Sequence, residues 1–215
     1  MPAQKDNSEP RRPGRPRGGK RAAASREQML DIALNLFSRQ GIANTSLNAI
    51  AKDAGVTPAM LHYYFNSREQ LLDAMIEERF LPLRSRIGAL FVENADSPVN
   101  ALTEMVKVLA ELAEQHRWFA PLWMQEVIGE MPVLRTHLQA RFGDEHYQAT
   151  LATVKRWQAE GKLNRALAPE LLFTTLLSLV LVPFSRMRND ERLSDLSPES
   201  IVRHALAVMG SGIGG

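Results

Sequence analysis

Three helix starts and two glycine stops fall between Ser25 and Tyr64, and that punctuation constrains the fold more than any other feature of the sequence. Ser25 with Gln28 three residues on is the capping-box pattern of a helix start. Met29, Ile32, Ala33, Leu36 and Phe37 then repeat at the spacing of one buried helical face. Gly41 is a C-terminal stop. Thr45 or Ser46 can cap a second, short helix that holds Leu47, Ile50, Ala51 and Ala54. Gly55 accepts the positive φ of a tight turn. Thr57 is then a natural N-cap, with Pro58 at the first helical position, where a missing N–H costs nothing. A third helix is predicted from about Pro58 to Tyr64, with Leu61 and Phe65 facing inward.

Two short helices joined by a tight turn and laid on a longer first helix form a helix-turn-helix. In that geometry the helix after the turn enters the major groove of DNA and offers its first residues to base edges. Pro58, Ala59, Met60, His62 and Tyr63 are the predicted exposed positions. They are mostly apolar or aromatic, which favours contacts with thymine methyls and phosphates over paired Arg–guanine bonds. His62 can donate to a base or phosphate, Tyr63 and Tyr64 have hydroxyls suited to phosphate oxygens, and Arg68 adds a charge past the helix. The same Tyr63-Tyr64-Phe65 run also reads as aromatic core, the reading preferred for Phe65.

Charge is unevenly placed. The net charge is only +2, yet residues 1–24 hold seven basic groups against Asp6 and Glu9. The rest of the chain is slightly acidic, so an anionic partner is expected at one end. Arg11-Arg12-Pro13-Gly14-Arg15-Pro16-Arg17-Gly18-Gly19-Lys20-Arg21 contains the Gly-Arg-Pro core that resembles an AT-hook. Pro and Gly prevent a helix and leave a thin strand, which fits the narrow minor groove of A·T-rich DNA with Arg15 and Arg17 inserted. A solubilising tail is the plainer reading. No apolar face accompanies the basic residues, which counts against a membrane-lying helix.

The stretch Ile50-Ala51-Lys52-Asp53-Ala54-Gly55-Val56-Thr57, followed by Leu61-His62-Tyr63-Tyr64-Phe65 and Ser67-Arg68-Glu69-Gln70-Leu71, resembles the DNA-binding domain of the TetR family of bacterial regulators. The likeness covers roughly residues 25–75. His62 stands where the family usually has Tyr, and Tyr64 where it often has His. By position, the resemblance implies DNA contacts at Ser46, Asn48, Pro58, Ala59, Met60, His62, Tyr63, Tyr64 and Arg68.

The remainder reads as helical throughout. Helices are predicted over Ser67 to about Leu90, Pro98 to Gln115, Phe119–Gly129, Pro132 to Glu160, Pro169–Arg188 and Pro198–Met209, with Gly, Pro, Asn and Asp clusters between them. The fold class is therefore all-α. A basic, disordered arm over 1–24 and a helix-turn-helix domain over 25–70 should precede a larger helical bundle over 71–215 that binds an effector and dimerises. The helix over 169–188 is apolar nearly all round and must be buried on most sides, in a core or between subunits. Pro183 should kink it or end its regular part. Paired operator half-sites favour a homodimer. The resemblance implies the same, through about 169–188 and 198–209.

Met105, Trp118, Phe119, Trp123, Met124, Met131 and Phe142 crowd the middle of the body. Such residues line adaptable apolar cavities, although at helical spacing they also read as plain core. The resemblance implies a small-molecule effector, apolar or aromatic, bound between the central helices and releasing the DNA. Gln125, Glu126, Arg135 and His137 are the polar groups placed to orient it, and each also reads as a surface residue.

Several classes are excluded. There is no Cys, hence no disulfide scaffold, Cys-based zinc site or thiol nucleophile. No phosphate-binding loop or nucleophile elbow is present, and the five His are scattered, so neither catalysis, a metal site nor a cofactor is expected. The longest nearly uncharged apolar run, Leu171 to Phe184, is shorter than the about 20 residues a membrane span needs. With no apolar signal core in the first thirty residues, the expectation is a cytoplasmic protein that does not engage a membrane. The leading reading is a repressor that binds a pseudo-palindromic operator on double-stranded DNA and is released by an effector. The rival is an architectural protein that binds A·T-rich DNA without one.

Overall fold

The computed structural model describes residues 24–129, 133–187, 190–193 and 195–210, and among them every regular element is helical. The arm with Arg15 and Arg17, and Met131, lie outside the described residues. Helix α1 spans Arg26–Gln40, α2 Leu47–Asp53 and α3 Pro58–Phe65. Each begins where a side chain satisfies an orphan N–H. Ser25 completes the capping box with Gln28, Ser46 accepts from the Ala49 N–H, and Thr57 from that of Met60. Each such cap contributes about 1 kcal/mol. Thr45, the alternative cap for α2, is buried instead, and its hydroxyl donates to the Gly41 carbonyl at 2.7 Å. Gly55 turns the chain between α2 and α3 at φ +66°, a backbone state that a side chain would strain.

Helix α4 spans Arg68–Met75 and crosses the expected domain boundary at 70/71 without a linker. A π-helical turn, Ile76–Phe80, joins it to α5, Leu81–Glu93. This is where the single helix expected from Ser67 onward departs from regular geometry, and Pro82 follows directly in the first turn of α5. Lacking an N–H, Pro82 leaves the Glu78 carbonyl without its intrahelical donor, and the Arg79 guanidinium donates to that carbonyl instead, at 3.3 Å. The irregular turn also throws Glu78 and Arg79 back onto α1. Arg26 pairs with Glu78 at 2.6 Å and Arg79 with Asp31 at 2.9 Å, while Arg26 also lies over the Phe65 ring.

The Arg26 guanidinium holds the Glu78 carboxyl below its ordinary range, mainly by hydrogen bonding. A depressed folded-state value means that the pair stabilises fully above the unfolded carboxyl value of about 4.3 and is lost as pH falls through the lower folded value. Both partners are a third or more exposed, so Glu78→Gln should cost only about 0.5–1 kcal/mol at pH 7. Thermal melting across pH checks this: the gap between the two proteins should close below about pH 4.

Helix α6 spans Pro98–Gln115, and α7, Phe119–Trp123, runs into a second π-helical turn, Met124–Ile128. Residues 133–159 are two helices, α8 (Val133–Phe142) and α9 (Glu145–Ala159), rather than the one expected from Pro132 to Glu160. The break is at Gly143, φ +60°, where the chain turns so that α8 and α9 part. Trp157 on α9 is fully buried, stacks on Phe91 and donates from Nε1 to the Ala95 carbonyl at 2.6 Å, tying α9 to the α5–α6 corner.

Helix α10, Pro169–Arg186, packs on α6, α7 and α9, and α11, Pro198–Gly210, packs on α6 and α10. Only Leu172, Leu176, Val180 and Leu181 of the eighteen residues of α10 are buried within the chain. Most of its other apolar residues, Phe173, Leu177, Leu179 and Phe184 among them, are half-buried against the core, and Leu171 is exposed. At 18 residues and mean hydropathy 1.3 the helix also has the length and composition of a marginal membrane span, which the shorter uncharged run alone does not suggest. One continuous buried cluster runs from Met29 through α4, α6 and α7 to Met209, so the first four helices and the body share a core.

Candidate DNA interface and ligand cavity

Helix α3 is fastened by one face and bare on the other. Leu61 and Phe65 are buried, Pro58, Ala59 and His62 are exposed, and Tyr63 is 84 % exposed. Tyr64 is half-buried and meets Tyr63 edge-on, with centroids 5.3 Å apart, which steadies the outer ring. Met60 is only half-buried and leans on the core, so it offers less surface than expected. Ser46 and Asn48 are exposed at the start of α2.

His62 Nδ1 lies 3.0 Å from the Asn66 carbonyl. A carbonyl can only accept, so Nδ1 carries the proton and Nε2 of the neutral ring is left as an acceptor. Toward a base, neutral His62 therefore suits an exocyclic amine, and it can donate from Nε2 only when protonated. This narrows the donor role read from the sequence.

Arg68 does not project as a free charge. It is half-buried, and its guanidinium donates to the Ile42 carbonyl. The Ile42 N–H is held from the other side by Glu126, whose Oε1 accepts it at 2.7 Å. Glu126 is 3 % exposed and belongs to the second π-helical turn, so its expected role as a ligand-orienting group gives way to that of a strut. Arg68 and Glu126 thus clamp the two peptide groups of one residue in the loop between α1 and α2. Gln125 packs against Gly41 beside them.

Val127 of that same turn, and Trp123 just before it at the end of α7, face cavities. The inner cavity, about 210 Å³, is walled by Met105, Phe119, Trp123, Phe142 and Leu177 with Arg84, and it adjoins an outer chamber of about 670 Å³ reaching Val127, Arg135 and Tyr147. The larger volume lies in the range of small-molecule sites. Met105, Phe119, Trp123 and Phe142 therefore sit together as expected. Trp118, Met124 and His137 line neither cavity. Trp118 is buried against Phe80 and Phe119 as core, and Met124 and His137 are half-buried elsewhere. Sequence reasoning missed Arg84, Ile87 and Leu83 on α5. No sequence signal separates Arg84 from Arg86 two residues on; the structure does, since Arg84 lines both cavities on a helix with no fully buried side chain. That helix is half-buried because its inner face looks into open space.

The family model for bacterial regulatory proteins, tetR family, matches residues 29–75. This N-terminal region belongs to the TetR family. The chain is 36% identical over 94 residues to the HTH-type transcriptional regulator AcrR of Shigella flexneri, a match spanning 43% of this chain and 42% of AcrR. It is 29% identical over 160 residues to RutR of Escherichia coli, across 72% and 73% of the two chains. The chain thus spans about two fifths of the length of AcrR and nearly three quarters of RutR. Among solved structures, the ketosteroid transcriptional regulator KstR2 of Mycobacterium tuberculosis has the same fold at TM-score 0.68 and 18% identity, covering 88% of this chain and 95% of that one. A SmeT–triclosan complex matches at TM-score 0.62 and 21% identity, covering 88% and 91%. The likeness of fold thus extends beyond the residues of the family model, over the helix-turn-helix and the helical body together.

Proposed function

We propose that this TetR-family chain is a homodimeric, cytoplasmic repressor that reads a pseudo-palindromic operator and is released from it by a small molecule. One observation carries the reading. The π-helical turn that walls the outer chamber with Val127, directly after Trp123, also grips the α1–α2 loop of the DNA-binding helices through Glu126 and Ile42. A ligand that prefers one arrangement of that turn shifts the population of DNA-competent molecules, and one that binds both arrangements equally does nothing. Ser46, Asn48, Pro58, Ala59, His62 and Tyr63 make the groove contacts in this reading, with Arg15 and Arg17 of the arm in the flanking minor groove. The second copy covers α10 and α11. SmeT, which matches in fold, is known in complex with triclosan, so a small molecule is bound by a protein of this fold.

The test is an anisotropy titration on DNA from upstream of the chain's own gene, against a shuffled sequence of equal A·T content, at two salt concentrations. A specificity ratio on the order of 10³ that survives higher salt supports the repressor. A ratio near one that collapses with salt favours the architectural rival. Deleting residues 1–24 should flatten the log–log salt dependence by about 0.9 for each phosphate contact the arm makes; an unchanged slope would show the arm to be idle.

A further inference from the structure

We propose that the effector is an amphipathic monoanion, an apolar chain or ring ending in a carboxylate, with the carboxylate held by Arg84 and Trp123. The inference rests on the ligand-responsive reading above and names the chemistry of its site.

The inner cavity has an unusual polar complement. Apart from the weakly accepting Met105 sulfur, its lining residues own only two polar side-chain functions, the Arg84 guanidinium and the Trp123 indole N–H. Both are donors. Trp123 Nε1 is buried with no hydrogen-bond partner, which costs free energy until an acceptor arrives. Arg84 is half-buried, lies 4.1 Å over the Phe142 ring, and has no carboxylate partner among the described residues. Arg86, two residues on and so on the other side of α5, is paired with Glu111, and Arg26, Arg79 and Arg141 all have carboxylate partners. Arg84 alone of these faces the cavities. Burial pulls its pKa down from the ordinary value, in keeping with a charge that lacks compensation.

A wall that offers only donors needs a ligand that brings acceptors. A guanidinium stays charged, and its planar fork matches a carboxylate in two parallel bonds. The remaining walls are hydrocarbon and aromatic, which calls for an apolar body behind the head group. On the outer wall Asp144, the one acidic residue lining either chamber among the described residues, is exposed and is matched in charge by the equally exposed Arg135, so the single uncompensated charge facing the ligand is Arg84. A neutral apolar effector would leave Arg84 desolvated and unpaired, and a cation would be repelled by it.

Calorimetric titration of the full chain with octanoate against octanol, and with 4-phenylbutyrate against 4-phenylbutanol, tests this without DNA. The carboxylate of at least one pair should bind about ten- to a hundredfold tighter than its alcohol, the range of hydrogen bonds to charged groups. Arg84→Gln should erase that preference while leaving alcohol affinity within about twofold, which shows the cavity intact. Should Arg84→Gln fail to fold, Trp123→Phe serves in its place: it removes one donor, keeps the ring, and should narrow the preference. Alcohols binding as tightly as the acids, or an acid preference that survives both substitutions, overturns the inference. So does a lack of binding by all four probes. Alcohols that bind equally well and still release the operator would overturn the anion and leave the ligand-responsive repressor standing, so the two failures are distinguishable.

Discussion

Glu126→Ala should lower the stability of the chain by about 1–3 kcal/mol, because it strands the buried Ile42 N–H without an acceptor. Glu126→Gln keeps an amide oxygen where Oε1 now stands and should cost distinctly less. The contrast matters because Glu126 Oε2 is buried and unpartnered, so part of what the carboxylate gains at Ile42 is offset at its other oxygen. Chemical denaturation of the three proteins checks the ranking. The same series read by operator titration tests the strut as a relay: with Glu126→Ala, a ligand that fills the cavity should still bind but should shift operator affinity much less than in the parent. Full release by ligand in that variant would move the coupling to another contact.

The second large effect separates anchoring from reading on one helix. Leu61→Ala removes a fully buried side chain from the face of α3 that meets the core, and should cost about 2–5 kcal/mol, with operator binding lost as the helix loosens. Tyr63→Ala removes a side chain that is 84 % exposed and should leave the melting temperature within about a degree or two, since such surface changes fall within about 0.5 kcal/mol. Operator affinity should nevertheless fall at least about tenfold, as for a well-placed aromatic contact. Unaltered operator affinity in the Tyr63→Ala protein would remove that residue from the interface and shift attention to His62.

The helix-turn-helix was the most legible part of the chain because its signals are local. Ser25, Ser46 and Thr57 cap their helices by bonding within three residues, and Gly55 turns the chain by its own φ. Leu61 and Phe65 follow from the same periodicity. The body was less legible where a local pattern had two continuations. Residues 133–159 keep a helical rhythm across Gly143, and only the tertiary parting of α8 from α9 decides that the glycine turns rather than merely weakens a helix. Pro82 fell where the helical rhythm ran on, and the π-helical turn it accompanies depends on Arg79 and α1, partners far apart in sequence.

Arg68 and Glu126 show most clearly why side-chain roles resist reading in one dimension. Along the chain the first reads as a DNA contact and the second as a ligand contact, each from the company it keeps. In three dimensions they meet across Ile42, one on its carbonyl and one on its N–H, although 58 residues separate them. No periodicity predicts that meeting, because it depends on how the loop after α1 settles against the turn after α7. Arg84 was missed for the opposite reason. Its spacing on α5 is ordinary, and its significance comes from what it lacks, a carboxylate partner in a wall of hydrocarbon.

Helix α10 has a consequence for how much of the protein is ready at any moment. Four of its eighteen residues are buried inside the chain, and in the homodimer proposed above the second copy would cover the rest of its apolar surface. In a homodimer of this kind, dilution acts as a denaturant does, since the finished population follows mass action and falls faster than the total. The abundance of the chain in its cell then becomes a control variable in its own right. A modest change in synthesis rate alters the number of operator-competent pairs more than proportionally, and the threshold at which an effector takes hold moves with it.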